Sequence, residues 1–261
     1  MRLPDPSLEP AIRDPKKLRN TAFVLVGIML LGGWLVLKAY EGWSVGQSKD
    51  DRPAVVYRIT PERDLRMLRQ DGQQANLVDL RNNVVAINVI SLRDPEAADR
   101  SMGVMKRLSA SRAATADLKL MTLMIDPTPS EKLLPTLSET AAANGMKLPQ
   151  WWLGSNEPKT LHKFIKNELK ANIYPNEIGG KWAYDSSIVL IDRNGHIRRA
   201  VVTRTNNGKP FQPSVVSFDF DQAAEWDKAG QQSGTDRSNV EQLEILLNQT
   251  IDKLLTEPFK N

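Results

Sequence analysis

The chain opens on one long apolar run and then breaks into short strand-like and helix-like patterns. Residues 21–37 read TAFVLVGIMLLGGWLVL, with no charge and no polar face. As a helix this run is about 25 Å long, and Arg19 and Lys38 can snorkel outward towards the edges of a hydrocarbon core of about 30 Å. A soluble helix would carry a polar stripe, and Ala39-Tyr40-Glu41-Gly42 makes a poor leader-cleavage site. The pattern therefore predicts a transmembrane helix over residues 21–39. Lys16, Lys17 and Arg19 precede it with no comparable positive excess after it, so residues 1–20 are expected to be a cytoplasmic tail and the rest extracytoplasmic, periplasmic in a bacterium. Tyr40 and Trp43 fall where an outer interfacial aromatic belt would lie, and residues 40–60 read as a polar tether.

From residue 61 onwards the periodicity alternates between strand and helix. Residues 84–90 (VVAINVI) form an apolar run of strand length, Ala98, Met102, Met105 and Leu108 follow at helical spacing, and residues 119–125 (KLMTLMI) form a second apolar run. Strand, helix and strand with a crossover of this length predict a parallel βαβ unit buried on both faces. The next helix has full punctuation: Thr128 as cap, Pro129 in the first helical position, Glu131 closing a capping box, and Asn144-Gly145 as the stop. Its apolar face is Leu133, Leu134, Leu137 and Ala141. Residues 151–153 read as a short strand, and Ser155 as the cap of a helix that turns Leu161, Phe164, Ile165 and Leu169 inward. Residues 187–192 and 196–202, joined at Arg193-Asn194-Gly195, read as a hairpin. Polar residues 203–237 read as a long surface loop, and Ser238 with Glu241 caps a final amphipathic helix over 238–255. The order β-α-β-α-β-α-β-β-α predicts an α/β, thioredoxin-like mixed sheet with helices on both faces across residues 61–261.

Composition narrows the chemistry. A chain of 261 residues, 41% hydrophobic and 25% charged, fits one folded domain with appendages. It has no cysteine, which removes disulfide frameworks, zinc ribbons, iron–sulfur clusters and every thiol enzyme. With only two histidines, His162 and His196, a three-histidine metal site within one chain is excluded. The net charge of +4 is concentrated at the N-terminus: residues 1–20 hold five basic and three acidic side chains, Lys38 adds one more, and only +1 remains for residues 40–261. A nucleic-acid binder would carry its basic excess on the folded body, so no nucleic-acid partner is expected.

Three segments in this order resemble the Sco/SenC group of copper chaperones for cytochrome c oxidase assembly. They are MIDPTPSEKLL (124–134), WWLGS (151–155) and SIVLIDRNGHIRR (187–199), and the resemblance spans about residues 61–202. It implies a short tail, one span and an extracytoplasmic thioredoxin-like domain. It also implies a copper site of two cysteines at the turn after the first core strand, spaced Cys-Pro-x-x-Cys, and a distal histidine before the late hairpin. This chain departs from that pattern at every ligand: the turn reads SLRDPEAADRS (91–101), which sets Asp94 and Ala98 at the cysteine positions, and WAYDSS sets Tyr184 or Asp185 at the histidine position. A soft thiolate site for Cu(I) cannot be rebuilt from those side chains, and dithiol redox chemistry is excluded.

The remaining candidates have ordinary readings beside sharper ones. Asp94, Glu96 and Asp99 suit a helix N-terminus and, alternatively, a hard-cation site of oxygen ligands. Met102, Met105, Met121 and Met124 fit core packing, although methionine pairs can hold Cu(I). His162 and His196 read as solvated, Asp126-Pro127 as strand termination and helix entry, and one or two of Trp151, Trp152, Trp182 and Tyr184 as core. Trp182 and Tyr184 are also expected near the mouth of the lost site as exposed interface anchors. The expectation is an accessory factor without enzymatic activity, catalytic residue, cofactor or metal, binding other membrane or periplasmic proteins such as respiratory oxidase subunits or a cysteine-bearing Sco relative. Two alternatives remain open: a copper or other metal chaperone with a non-cysteine site, and, less favoured, an enzyme acting without thiols.

Overall fold

A computed structural model describes residues 15–47, 52–202, 205–206, 209–210, 214–231 and 236–259, with the backbone alone at 40–47, 205–206 and 209–210. The aromatic belt expected at Tyr40 and Trp43 and the first fourteen residues of the expected tail lie outside the described side chains and residues. The chain divides into two units, Met1–Asp50 with Thr203–Gln212, and Asp51–Val202 with Pro213–Asn261.

The described part of the first unit is one long helix and a short hairpin. Helix α1 (Pro15–Gln47) contains a stretch, Pro15–Ala39, long and apolar enough to cross a membrane, and none of that stretch is buried against protein. The helix expected to yield to a tether at residue 40 instead continues to Gln47. Residues 38–47 contain no proline, and their two glycines, Gly42 and Gly46, oppose a helix by only about 1 kcal/mol each.

The second unit is a mixed sheet with helices on both faces. Its strands are β1 (Ala54–Arg58), β2 (Arg66–Arg69), β3 (Gln74–Asn76), β4 (Val84–Ile90), β5 (Leu118–Met124), β6 (Trp151–Ser155), β7 (Asn176–Ile178), β8 (Lys181–Ala183), β9 (Val189–Ile191) and β10 (His196–Val202). In the first unit β11 (Thr205–Asn206) pairs with β12 (Lys209–Pro210), and β13 (Ser214–Val216) returns to the second unit. The central sheet runs β1-β10-β9-β4-β5-β6-β2-β3, with β13 also on β10; β7 and β8 form a separate hairpin. Strands β4, β5 and β6 are parallel, and β9 lies antiparallel on β4. A βαβ unit followed by a helix, an antiparallel hairpin on the first strand and a closing helix is the thioredoxin-like arrangement.

Helices α2 (Asp99–Ser111), α3 (Ser130–Asn144), α4 (Pro158–Asn167), α5 (Phe220–Lys228) and α6 (Asn239–Thr256) complete it. Every residue of β4 is buried, and its alternation sorts the faces. Asn88 points towards Ser101 on α2, whereas Ile87 and Val89 face a small cavity shared with Ile165 at the end of α4. Arg107 on α2 clamps Glu244 on α6 with two bonds of 2.7 Å, which ties the helices of the first face together.

Several expectations require correction. Strand β1 lies inside the expected tether, where a valine pair between polar neighbours forms an edge strand on β10. The expected loop 203–237 contains β13 and α5, because Phe218 and Phe220 are each 1% exposed and pin this polar segment to the core. Thr128 does not cap α3; its hydroxyl donates to the Asp126 carbonyl, and α3 begins at Ser130 without a side-chain cap. Ser155 belongs to β6 and donates to the Met124 carbonyl at 2.7 Å, while Glu157 caps α4 by accepting from Lys159 N and Thr160 N. Ser238 accepts from Glu241 N at the start of α6, as expected. Met105, Met121 and Met124 are core.

Candidate functional site

The corner where β4 turns into α2 lies beside the C-terminal end of its parallel neighbour β5, the edge at which open α/β sheets place ligand sites. The turn runs from Ser91 through Asp94 into a single 3-10 turn, Pro95–Ala98, and then α2. Its backbone amides have no ladder partner once β4 ends, and a buried carboxylate takes them. Asp126, 5% exposed, accepts from Ser91 Oγ at 2.7 Å, Leu92 N at 2.6 Å and Arg93 N at 3.3 Å. Ser91 Oγ in turn accepts from Arg93 N at 3.1 Å.

A second set of buried polar groups holds the turn from beneath. Trp151 Nε1 donates to Thr122 Oγ1 (3.0 Å), Thr122 donates to Asn88 Oδ1 (2.7 Å), Asn88 Nδ2 reaches Ser101 Oγ (3.5 Å), and Ser101 donates to the Ala98 carbonyl (3.1 Å). This chain crosses three strands and ends at the position where the resemblance implies the second thiol.

The third wall is the segment after β8. Tyr184 is 8% exposed, and its hydroxyl is buried with no hydrogen-bond partner. Burial raises its phenol far above the usual tyrosine range, the Ser91 backbone amide opposes the rise, and the charges of Asp94, Asp126 and Asp221 add to it. Asp185 turns away to accept from Asn172 N, Ser187 N and Ser187 Oγ, so its carboxylate orders a loop. Of the two residues expected at the lost histidine position, Tyr184 is the one beside the turn. Ser186 donates to Asp221, which also pairs with Arg100 at 2.6 Å.

Trp182 and Tyr184 are therefore not exposed anchors: each is 8% exposed, because β8 turns this segment inward against the corner. His162 is likewise buried rather than solvated. Its Nε2 lies 3.0 Å from the Ile125 carbonyl, which only accepts, so that nitrogen carries the proton. Its ring meets Trp182 and Tyr174 edge-on, with centroids 5.3 and 6.0 Å apart. His196 sits half-buried beside Asp192, 3.3 Å away.

The apolar groups that remain exposed about the corner are Leu92, Ile173, Tyr174 and Ile178, the last 64% exposed. Ile178 leads into Gly179-Gly180, whose φ angles of +61° and +82° suit the tight turn between β7 and β8. Arg93 pairs with Glu177 on that hairpin at 3.6 Å. A Gly-Gly pair between short alternating segments is a readable hairpin signal. Asp126 carried no comparable signal, since an acid followed by proline reads as strand termination.

Chemically the corner offers a turn carboxylate at Asp94, a methyl group at Ala98 and a protonated phenol at Tyr184. The set contains no sulfur donor and does not fit Cu(I). Among the described residues no three His, Cys, Asp or Glu side chains gather as a metal-holding group.

No protein-family model matches the chain, and no curated protein matches it. Solved structures do. A SCO1/SenC family lipoprotein from Bacillus anthracis str. Ames is 14% identical, with TM-score 0.47 over 74% of this chain and 93% of that one. Arabidopsis thaliana ScoI, solved with copper bound, is 9% identical, with TM-score 0.48 over 74% and 98%. BsSco, a member of the Sco family of cytochrome c oxidase assembly proteins, is 16% identical, with TM-score 0.45 over 69% and 96%. At these identities the likeness concerns the backbone, and the fold assignment rests on the strand order itself.

Proposed function

We propose that this chain is a membrane-anchored, thioredoxin-fold docking protein that supports assembly of a respiratory oxidase without thiol, metal or enzymatic chemistry of its own. The reading joins the motif resemblance to the Sco/SenC group with one structural observation that carries it. The corner at which that group places its copper ligands is built and held by buried hydrogen bonds, yet it presents Asp94, Ala98 and Tyr184, and Asp126 is committed to Ser91, Leu92 and Arg93. Such a corner supplies shape and charge but no nucleophile or soft ligand. In this reading α1 anchors the body with residues 15–20 on the cytoplasmic side, and tethering raises its effective concentration near membrane-bound partners.

The test uses the full chain in detergent. It should remain in the membrane after alkaline carbonate washing, retain less than one equivalent of copper after loading with Cu(I) or Cu(II) and dialysis, and capture oxidase subunits from solubilised membranes of its own organism. Stoichiometric copper retention would overturn the metal-free reading. Failure to capture any oxidase subunit, with oxidase activity unchanged in a deletion strain, would overturn the assembly role.

A further inference from the structure

Between α4 and β9 the chain leaves the body and returns to the same place. Asp185 accepts from Asn172 N at 2.6 Å and from Ser187 N at 3.0 Å, and Lys166 Nζ donates to the carbonyls of Ala171 and Asn172. Those bonds close a neck. Beyond it, residues 173–184 carry the hairpin β7–β8, which pairs only with itself. Among the described residues no backbone hydrogen bond ties this excursion to the rest of the body. A loop closed at its neck is held by its own side chains and by what they lean on.

The side chains that lean on the body land at the corner or beside it. Glu177 meets Arg93 of the turn at 3.6 Å, with both side chains about half exposed. Trp182 packs edge-on against His162, which is bonded to the Ile125 carbonyl one residue before Asp126. Tyr184, at the foot of the return, lies against the Ser91 backbone. The largest of these contacts is imperfect. The Trp182 indole N–H is buried without an acceptor, a cost that opening would remove by giving it water. The ion pair adds little, because half-exposed pairs are screened and restrict two long side chains. At the tip Ile178 is 64% exposed and Gly179-Gly180 have open space about them.

A fixed neck, a self-paired hairpin and an unsatisfied closing contact are the parts of a lid. We propose that residues 173–183 form a lid on the Asp94 corner, which swings about the Asp185 neck and in its open form uncovers Trp182, His162 and the turn at residues 91–93. Such a gate stands independently of the docking reading: it sets when the corner is accessible, whatever partner enters.

Indole N–H hydrogen exchange, followed by NMR on the full chain in detergent with isotope-labelled tryptophan, reads the lid directly. Trp151 is the internal reference, since its Nε1 is also buried but is bonded to Thr122 Oγ1 at 3.0 Å. The Trp182 indole should exchange at least about a hundredfold faster than that of Trp151, with little response to low denaturant, as local opening does. Arg93→Ala and Glu177→Gln should each speed it about two- to fivefold and leave Trp151 unchanged, as loss of a half-exposed pair predicts. The chain has no cysteine, so Arg93→Cys with Glu177→Cys offers one site for a short bis-maleimide bridge. That bridge should slow Trp182 exchange at least about tenfold. Exchange at Trp182 as slow as at Trp151 would overturn the lid. So would fast exchange undiminished by the bridge, because water would then reach the indole without any swing of the hairpin.

Discussion

Asp126 offers the most direct test of how the corner is held. Its carboxylate takes three donors, but Arg93 N also reaches Ser91 Oγ, so Asp126→Ala strands mainly the Ser91 hydroxyl and Leu92 N. A hydrogen bond to a charged acceptor is worth about 1.5–3 kcal/mol, and an orphaned buried donor costs about as much. Two such losses give roughly 3–5 kcal/mol. For a domain of this size each kcal/mol lowers the melting temperature by about 2–4 °C, so the variant should melt roughly 6–20 °C below wild type. Asp126→Asn keeps one acceptor oxygen and should lose about half as much. Near-ultraviolet circular dichroism of the full chain in detergent reads the melting shift, and amide hydrogen exchange at Leu92 and Arg93 reads the turn itself. A shift below about 3 °C for the alanine variant, with Leu92 exchange unchanged, would refute the account of Asp126 as the clamp of the turn.

Two further substitutions probe the core and the charge balance. At Gly154 on β6 an added Cβ would fall on Sδ of Met67, which is 1% exposed and has little room to retreat. Gly154→Ala should therefore destabilise the fold by about 1–3 kcal/mol in denaturant titration, and an unchanged midpoint would contradict the packing. Asp219, the cap of α5, has its carboxyl raised by burial, partly offset by the bond from Gln222 N, with Asp185 and Asp221 raising it further. A raised folded-state pKa means the stability linked to its protonation is full below the unfolded value near pH 3.9 and is lost as pH rises through the folded value. Asp219→Asn keeps an accepting cap oxygen. Relative to wild type it should be favoured at pH 7 and lose that advantage towards pH 4; a pH-independent difference in urea midpoints would count against this.

The sheet's centre was legible because it is apolar throughout. Strand β4 coincides with the predicted run 84–90, and β5, β9 and β10 lie within a residue or two of their predicted bounds, since β-rich apolar segments leave few alternatives. Elements that bury only one or two side chains were not legible. Strand β13 and α5 hide in polar sequence because few side chains, chiefly Phe218, Phe220 and Ala223, anchor them, and β1 hides because an edge strand needs pairing on only one side. At the corner, the resemblance pointed to Asp94, Ala98 and either Tyr184 or Asp185, but it gave no sign that Ala98 and Tyr184 are buried. Tyr184 and Trp182 were expected as exposed anchors because the resemblance set them at the mouth of the lost site, whereas this segment packs inward and buries both. Asp126 looked like punctuation because its three partners are more than thirty residues away in sequence.

The buried chain from Trp151 to Ser101 poses a sharper question, because polar groups are a costly way to fill a core. Asn88 and Thr122 are fully buried at the centre of the sheet, where valine would pack without any hydrogen bond to satisfy. What the polar chain supplies is position: it ends on the Ala98 carbonyl and fixes where the turn meets α2. Asn88→Val separates the two roles. It removes the acceptor of the Thr122 hydroxyl and the link to Ser101, while Trp151 Nε1 keeps Thr122 Oγ1 and Ser101 keeps the Ala98 carbonyl. The lost bond costs about 1–2 kcal/mol, and added apolar burial returns part of it, so melting should fall by only about 2–4 °C. The amides of residues 98–101 should nonetheless exchange at least about tenfold faster, because the turn has lost its support from below. Unchanged exchange there, whatever the melting temperature, would mean that the chain fills space and Asp126 alone sets the corner.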